Sequence, residues 1–331
     1  MKKILIVTDN LLTQINGVTT TFKNIEKHAF NDGYAIEYLS PEMFPHIPAP
    51  RYPEVKLSFP HNIKKYINSV NPDYIHIATE GPLGLAARNY CNKHKIKYNT
   101  SYHTKFPDFI KKIYFVPKQI TYGYLRWFHK RSSVVLTTTD AMVNDLSEHK
   151  FRNNITTWTR GVNRETLHPT VEYAHTNKTP IVLYVGRVSK EKNLQALCKL
   201  ENLYDIRIVG DGPARTKLEK KYRKVKFLGY KTGADLANCY AEADVFCFPS
   251  KADTFGIVMI EAMSMGTPVA AYPVTGPLEV IEQGVTGYMS NNLSSSIVDC
   301  LLLDRKTIIE HANKWTWSES WDVFKNNLVS K

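Results

Sequence analysis

Asp253 and Glu261 stand eight residues apart, with Phe255-Gly256-Ile257 between them and an apolar run ending at Pro249 ahead of them. The pattern predicts a helix from about Phe255 to Met265, stopped by Gly266. A helix start there turns the N–H groups of Phe255, Gly256 and Ile257 outward, where the dipole favours an anion. Gly256 would let that anion approach the backbone with no side chain in the way. At a rise of ~1.5 Å per helical residue the two carboxylates are on the order of 10 Å apart. That suits two separate sets of hydroxyls with a phosphate between them, and does not suit a pair flanking one glycosidic bond. A second reading makes Asp253 an ordinary helix cap and leaves Glu261 on a solvated face.

The cations that a bound diphosphate needs stand in another turn, Gly186-Arg187-Val-Ser-Lys190-Glu-Lys192-Asn193. A diphosphate that departs as a leaving group gathers negative charge, and cations fixed in advance stabilise it. Arg187 can offer a two-pronged grip and Lys192 a point charge. Basic residues in a loop are otherwise simply solvated. No D-x-D tripeptide, no phosphate-binding G-x-x-x-x-G-K and no G-x-G-x-x-G occur in the chain. The expectation is therefore no metal and no cofactor, with protein cations in the metal's place.

These residues need strands and helices to hold them. Two segments open alike: Ile4 to Val7 leads through a polar loop to Asn16-Gly17-Val18 and a helical pattern, and Ile181 to Val185 leads through Gly186-Arg187 to the helix-like Asn193 to Leu200. Each is the first unit of a doubly wound α/β domain. Further strands are expected at Ala35–Leu39, Tyr74–Ala78, Lys97–Ser101 and Val134–Thr138, and then at Asp205–Val209, Val225–Leu228, Val245–Phe248 and Val269–Tyr272. A polar stretch from Leu167 to Lys178 reads as the linker. The expected architecture is α/β, with two Rossmann-like domains, 1–168 and 169–314, facing a central cleft. Ligands then lie beyond the carboxyl ends of the strands.

At 331 residues the chain has room for two cores, and 43% hydrophobic with 22% charged residues excludes a disordered protein. The five cysteines form no C-x-x-C pair, so neither a disulfide framework nor a zinc site is expected. Lys2 and Lys3 precede too short an apolar run for a signal peptide, and nothing approaches the length of a membrane span. A cytoplasmic protein, at most peripheral to a membrane, is the expectation. The net charge of +12 attracts anions without saying which.

In order along the chain, Asn16-Gly17-Val18, Pro72-Asp73-Tyr-Ile-His76-Ile-Ala-Thr-Glu80-Gly-Pro-Leu-Gly84, Ser101-Tyr-His103-Thr, Arg160-Gly-Val-Asn163, Gly186-Arg187 with Lys192, Gly210-Asp-Gly-Pro213, Asp253 to Glu261 and Trp315-Thr-Trp317-Ser resemble the motifs of the family-four retaining glycosyltransferases of the GT-B fold. The resemblance covers essentially the full length and is nearest the branch that mannosylates, glucosylates or sulfoquinovosylates lipids. It implies GDP-mannose, UDP-glucose or UDP-glucuronate as donor. It implies Arg187 and Lys192 on the diphosphate, Glu261 on the ribose, Asp253 on the sugar hydroxyls, and the amides of Phe255 and Gly256 completing the grip. His103 would lie near the sugar at the reaction centre, and Gly17 would let the first loop close on the phosphates. A last helix, 315–331, would cross back to the N-terminal, acceptor domain. The family usually carries Glu where this chain has Asp253, one methylene shorter. His103 also has a plain reading, as a satisfied structural histidine.

From Lys105 to Arg131 seven cations face the single acid Asp108, interleaved with Phe106, Phe109, Tyr114, Phe115, Tyr122, Tyr124, Trp127 and Phe128. Such a run suits an anionic membrane surface and a lipid acceptor such as diacylglycerol or a phospholipid. Equally, the aromatics could fill a core while the lysines face water. The cluster from Arg215 to Lys226 lacks this aromatic density and reads as a solvated helix face, and no nucleic-acid-binding module is recognised. A soluble or polysaccharide acceptor, or a binding protein of the same fold that has lost catalysis, are the competing readings.

Overall fold

The computed structural model describes residues 1–14, 16–50, 52–169 and 179–331, with backbone alone at 52–54. The chain divides into two compact units, Met1–Arg160 with Trp317–Lys331, and Gly161–Thr316. The first crossing falls at Arg160/Gly161 rather than after 168, because Val162 and Leu167 are buried in the core of the second unit. Most of the stretch read as a linker, residues 170–178, lies outside the described residues.

The first unit holds β1 (Lys2–Val7), β2 (Tyr34–Leu39), β3 (His46–Ala49), β4 (Tyr52–Ser58), β5 (Tyr74–Ile77), β6 (Asn99–Tyr102), β7 (Val134–Thr137) and β8 (Asn154–Thr157). Six of these make one parallel sheet in the order β2-β1-β5-β6-β7-β8, while β3 and β4 pair as an antiparallel hairpin. The apolar runs are continuous rather than alternating, as strands covered on both faces require: Ile4 to Val7 is fully buried. The second unit holds β9 (Ile181–Val185), β10 (Asp205–Val209), β11 (Lys226–Gly229), β12 (Val245–Phe248), β13 (Val269–Ala271) and β14 (Gly287–Met289). They form a parallel sheet in the order β11-β10-β9-β12-β13-β14.

That order runs outward from β9 in both directions, so the chain reverses its winding between β9 and β12. The loops after those two strands diverge from a common crevice, the place where open α/β sheets take ligands. In the first unit the same reversal lies between β1 and β5. Backbones crowd at these edges. A side chain on Gly210, at φ +124°, would lie 2.0 Å from the carbonyl oxygen of Gly186, which fixes glycine where the turns after β9 and β10 touch.

The sequence reading missed the β3–β4 hairpin, β8 and β14. Pro48 and Pro53 mask the hairpin. β8 shows no buried position and β14 is three residues long, so neither carries a strong apolar run.

Candidate functional site

The loop after β9 carries Arg187 and Lys192, and the loop after β12 carries Asp253; the sheet order makes them neighbours. Lys192 Nζ donates to Asp253 Oδ1 at 2.6 Å, with both side chains about three-quarters buried. Asn193 positions the lysine: it takes a left-handed conformation at φ 56°, and its side-chain amide donates to the Pro249 carbonyl at 3.1 Å. The short helical turn Lys190–Lys192 is thereby tied to the end of β12. Arg187 is half-buried in the same loop, its carbonyl accepting from the Tyr184 hydroxyl at 3.0 Å. Asp253 Oδ2 is buried without a hydrogen-bond partner among the described residues. One carboxylate oxygen is thus committed to a cation and the other is left for a donor that is not part of the protein.

The helix following Asp253 spans Ile257–Ser264, so it starts later than the Phe255 expected. Gly256, at φ +88°, cannot be a helical residue and stands just outside as the N-cap. A Cβ there would meet Met259 Cε and Phe248 Cζ at 2.9 Å, so both backbone angle and packing demand glycine. The Phe255 side chain is buried, edge-on to Trp315 at 5.4 Å, and anchors the loop. No side chain caps this helix. The reading of Asp253 as its cap is therefore excluded.

Glu261 lies one turn further along, half-buried, with its Oε2 accepting from the Tyr240 hydroxyl at 2.8 Å. It is not on a solvated face. Burial raises its pKa above the ordinary glutamate value, and the Tyr240 hydrogen bond acts in the opposite direction. Tyr240 belongs to the helix Gly233–Glu242, and nothing in its sequence surroundings announced this role.

In the first unit Gly17 begins the helix Gly17–Asn31, which Asn16 caps by accepting from the N–H groups of Val18 and Thr19. A Cβ on Gly17 would meet nothing within 4 Å among the described residues, so their packing does not require glycine there. His103 follows β6. Arg160 donates to its Nδ1 at 3.0 Å, and its Nε2 is 2.8 Å from Ser101 Oγ, which lies 2.9 Å from His76 Nε2. A guanidinium only donates, so Nδ1 must present its lone pair and the ring proton sits on Nε2. Burial, then the Arg160 charge and then His76 hold the His103 pKa well below the usual histidine value. The ring is a neutral, fixed group with both nitrogens engaged. Burial lowers Arg160 itself to about 9. The sequence reading quoted Arg160 within a motif and gave it no role.

Residues 15–166 match the family described as Glycosyltransferase Family 4, and residues 179–302 match the one described as Glycosyl transferases group 1. The chain belongs to the family-four glycosyltransferases. Within that family it is similar to the sulfoquinovosyl transferase SQD2 of Arabidopsis thaliana, 30% identical over 86% of this chain. The chain spans 62% of that protein's length. It is also similar to a GDP-mannose-dependent alpha-mannosyltransferase of Corynebacterium glutamicum, 26% identical over 96% of this chain and 81% of that one. Among solved structures, the sucrose-phosphate synthase of Thermosynechococcus elongatus superposes with a TM-score of 0.80 over 98% of both chains at 16% identity. The fold is GT-B, as expected of this glycosyltransferase from its motifs.

Of the run Lys105 to Arg131, Tyr122 and Phe128 are in the core, and Phe106 and Tyr124 pack against it. Phe115, Ile120 and Trp127 are exposed, at 79%, 63% and 47%. Part of this run thus fills the core and part of it is exposed. The helix Arg215–Lys221 has no buried residue, as a solvated face requires. Among the described residues no helix is long and apolar enough to cross a membrane.

Proposed function

We propose that the chain transfers a hexose from a nucleotide-diphosphate sugar to an acceptor hydroxyl, with retention of anomeric configuration and without a metal ion. The observation that carries this reading is the Lys192–Asp253 pair at the switch point of the second sheet. It gathers a cation suited to the diphosphate and a carboxylate with one unpartnered oxygen suited to a sugar hydroxyl. In this reading Arg187 and Lys192 stabilise the departing diphosphate. The amides at Phe255, Gly256 and Ile257 receive its oxygens, and Glu261, oriented by Tyr240, takes the ribose diol. The parts assigned to Gly17 and His103 belong to the same reading, with His103 as a fixed neutral ring beside the sugar and not as a proton acceptor. The relative that uses GDP-mannose favours that donor over UDP-glucose and UDP-glucuronate. The test is to incubate the protein with each donor and a cell lipid extract in the presence of a metal chelator, then determine the anomer formed. Binding of a nucleoside diphosphate with no sugar released from any donor, even to water, would instead mark a member that binds without catalysis.

A lipid acceptor is supported by a separate observation. Ile120 and Trp127 lie seven residues apart on one helix, Lys118–His129, and both are exposed, as is Phe115 just before it. Lys111, Lys112 and Arg126 are exposed beside them. The Tyr114 hydroxyl donates to the Pro50 carbonyl at 2.6 Å, holding the β3–β4 hairpin, with Ile47 and Val55 exposed, next to this surface. Apolar tips ringed by cations suit the headgroup region of an anionic bilayer. Flotation with anionic vesicles at physiological salt should carry the protein upward. A soluble acceptor is the reading left if it stays at the bottom of the gradient.

A further inference from the structure

A cavity of about 350 Å³ in the first unit is lined by Arg88, Asn89, Asn92, Trp127, Lys130 and Arg131. Three cations border it, and no carboxylate does. Among the described residues none of the three makes an ion pair. Arg88 is buried, and three of its five N–H groups are spent: on the Phe128 carbonyl at 2.7 Å, the Asn89 side chain at 3.0 Å and the Trp127 carbonyl at 2.7 Å. Its guanidinium lies 3.9 Å from the Trp127 ring centre. Lys130 and Arg131 are exposed at the mouth. Burial lowers the Arg88 pKa, and the Arg131 charge acts in the same direction.

The fold needs Arg88, since it satisfies the last carbonyls of the helix Lys118–His129. It does not need Lys130 and Arg131 gathered beside Arg88 with no acid between them. Like charges held together repel, and an anion among them removes the repulsion. The place is also distinct from the loops described above. Helices in a parallel α/β sheet return the chain from the carboxyl edge to the amino edge. Lys130 and Arg131 come directly before β7, whereas Gly17, His103 and Arg160 come after their strands.

We propose that this cavity is a binding site for a phosphate group, separate from the donor site and independent of the transfer reading. Arg88 and Arg131 offer forked N–H donors, Lys130 a point charge, and Asn89 and Asn92 neutral hydrogen bonds to the ester or to neighbouring hydroxyls. The phosphate could belong to a soluble phosphorylated molecule or to a lipid headgroup, and the chemistry of the site is the same for both.

Trp127 reports on the site. Its emission, taken as the difference between the wild-type protein and Trp127→Phe, is followed while inorganic phosphate is added at constant ionic strength. A parallel series uses vesicles of phosphatidic acid in phosphatidylcholine, with pure phosphatidylcholine as control. A saturable change with phosphate assigns the site to soluble phosphorylated ligands, and one with the phosphatidic acid vesicles alone assigns it to headgroups. In either case the variant Lys130→Ser/Arg131→Ser, chosen because both residues are exposed and Arg88 is needed by the fold, should weaken binding at least about tenfold. The proposal fails if neither titration saturates, if chloride gives the same response as phosphate, or if the double variant binds as tightly while its circular dichroism is unchanged.

Discussion

Asp253 shows how one methylene changes what a carboxylate can do. With its shorter side chain it still reaches Lys192 at 2.6 Å, so it orders that cation before any ligand arrives. Asp253→Asn keeps the shape but removes the charge that holds Lys192. The expected result is a fall of about 10²-fold or more in kcat/KM, with the folded protein intact by circular dichroism. Asp253→Glu restores the family's usual residue and should retain most of the activity. If the amide variant kept full activity, the pair would have no part in the transfer.

Glu261 gives a pH prediction. In the proposed function its ionised form is the one that accepts hydroxyl groups of a ribose. Burial raises its pKa and the Tyr240 hydrogen bond pulls it down, so donor affinity is complete above that raised value and is lost as pH falls through it. Tyr240→Phe deletes the opposing hydrogen bond and should move the acid limb of kcat/KM towards higher pH. The variant should lose more at mildly acid pH than at pH 8. An unshifted limb would separate Glu261 from donor binding.

At the scale of elements, the sequence already contained most of what the sheets needed. Asp205–Val209 and Val245–Phe248 match β10 and β12 residue for residue: β12 is a continuous buried apolar run, and β10 keeps Ile206, Ile208 and Val209 buried beside the partly exposed Asp205 and Arg207. Lys192 and Asp253 were also visible as site residues, but their contact was not. It depends on β9 and β12 being adjacent, which is a property of strand order and has no local signature. Tyr240 and Asn193 escaped for the same reason, each acting through a partner more than 20 residues away in sequence. Asn193 tests this link. Asn193→Gly keeps access to the left-handed conformation and loses the side-chain bonds to Pro249 and Tyr272, so stability should fall by about 1–2 kcal/mol. Activity should fall by a larger factor than that loss implies, because Lys192 is no longer tethered. Denaturant titration beside kinetics distinguishes the two, and a proportionate loss in both would deny Asn193 a positioning role.

At the scale of the whole molecule, the chain visits the second unit and then returns to the first. The helix Trp317–Asn326 sits among residues from the other end of the sequence: Phe324 is fully buried, 5.9 Å from the Phe22 ring, 4.9 Å from that of Trp158 and 5.0 Å from that of His76. The Trp158 indole donates to the Ser320 carbonyl at 2.9 Å, and Trp321 and Lys325 both donate to Asp32. Trp158 and Phe22 also surround His103, whose ring centre lies 5.9 Å and 6.4 Å from theirs. The returning helix therefore closes the core on which the His76–Ser101–His103–Arg160 chain of hydrogen bonds rests. Phe324→Ala should destabilise the first unit by about 3–5 kcal/mol through the cavity it opens. If the two units unfold in separable calorimetric transitions, only the one belonging to the first unit should move, although residue 324 follows the entire second unit in sequence. Nucleoside diphosphate binding, which the proposed function assigns to the second unit, should persist at temperatures where transfer has stopped. Equal loss of both functions would mean that the second unit depends on this helix as well.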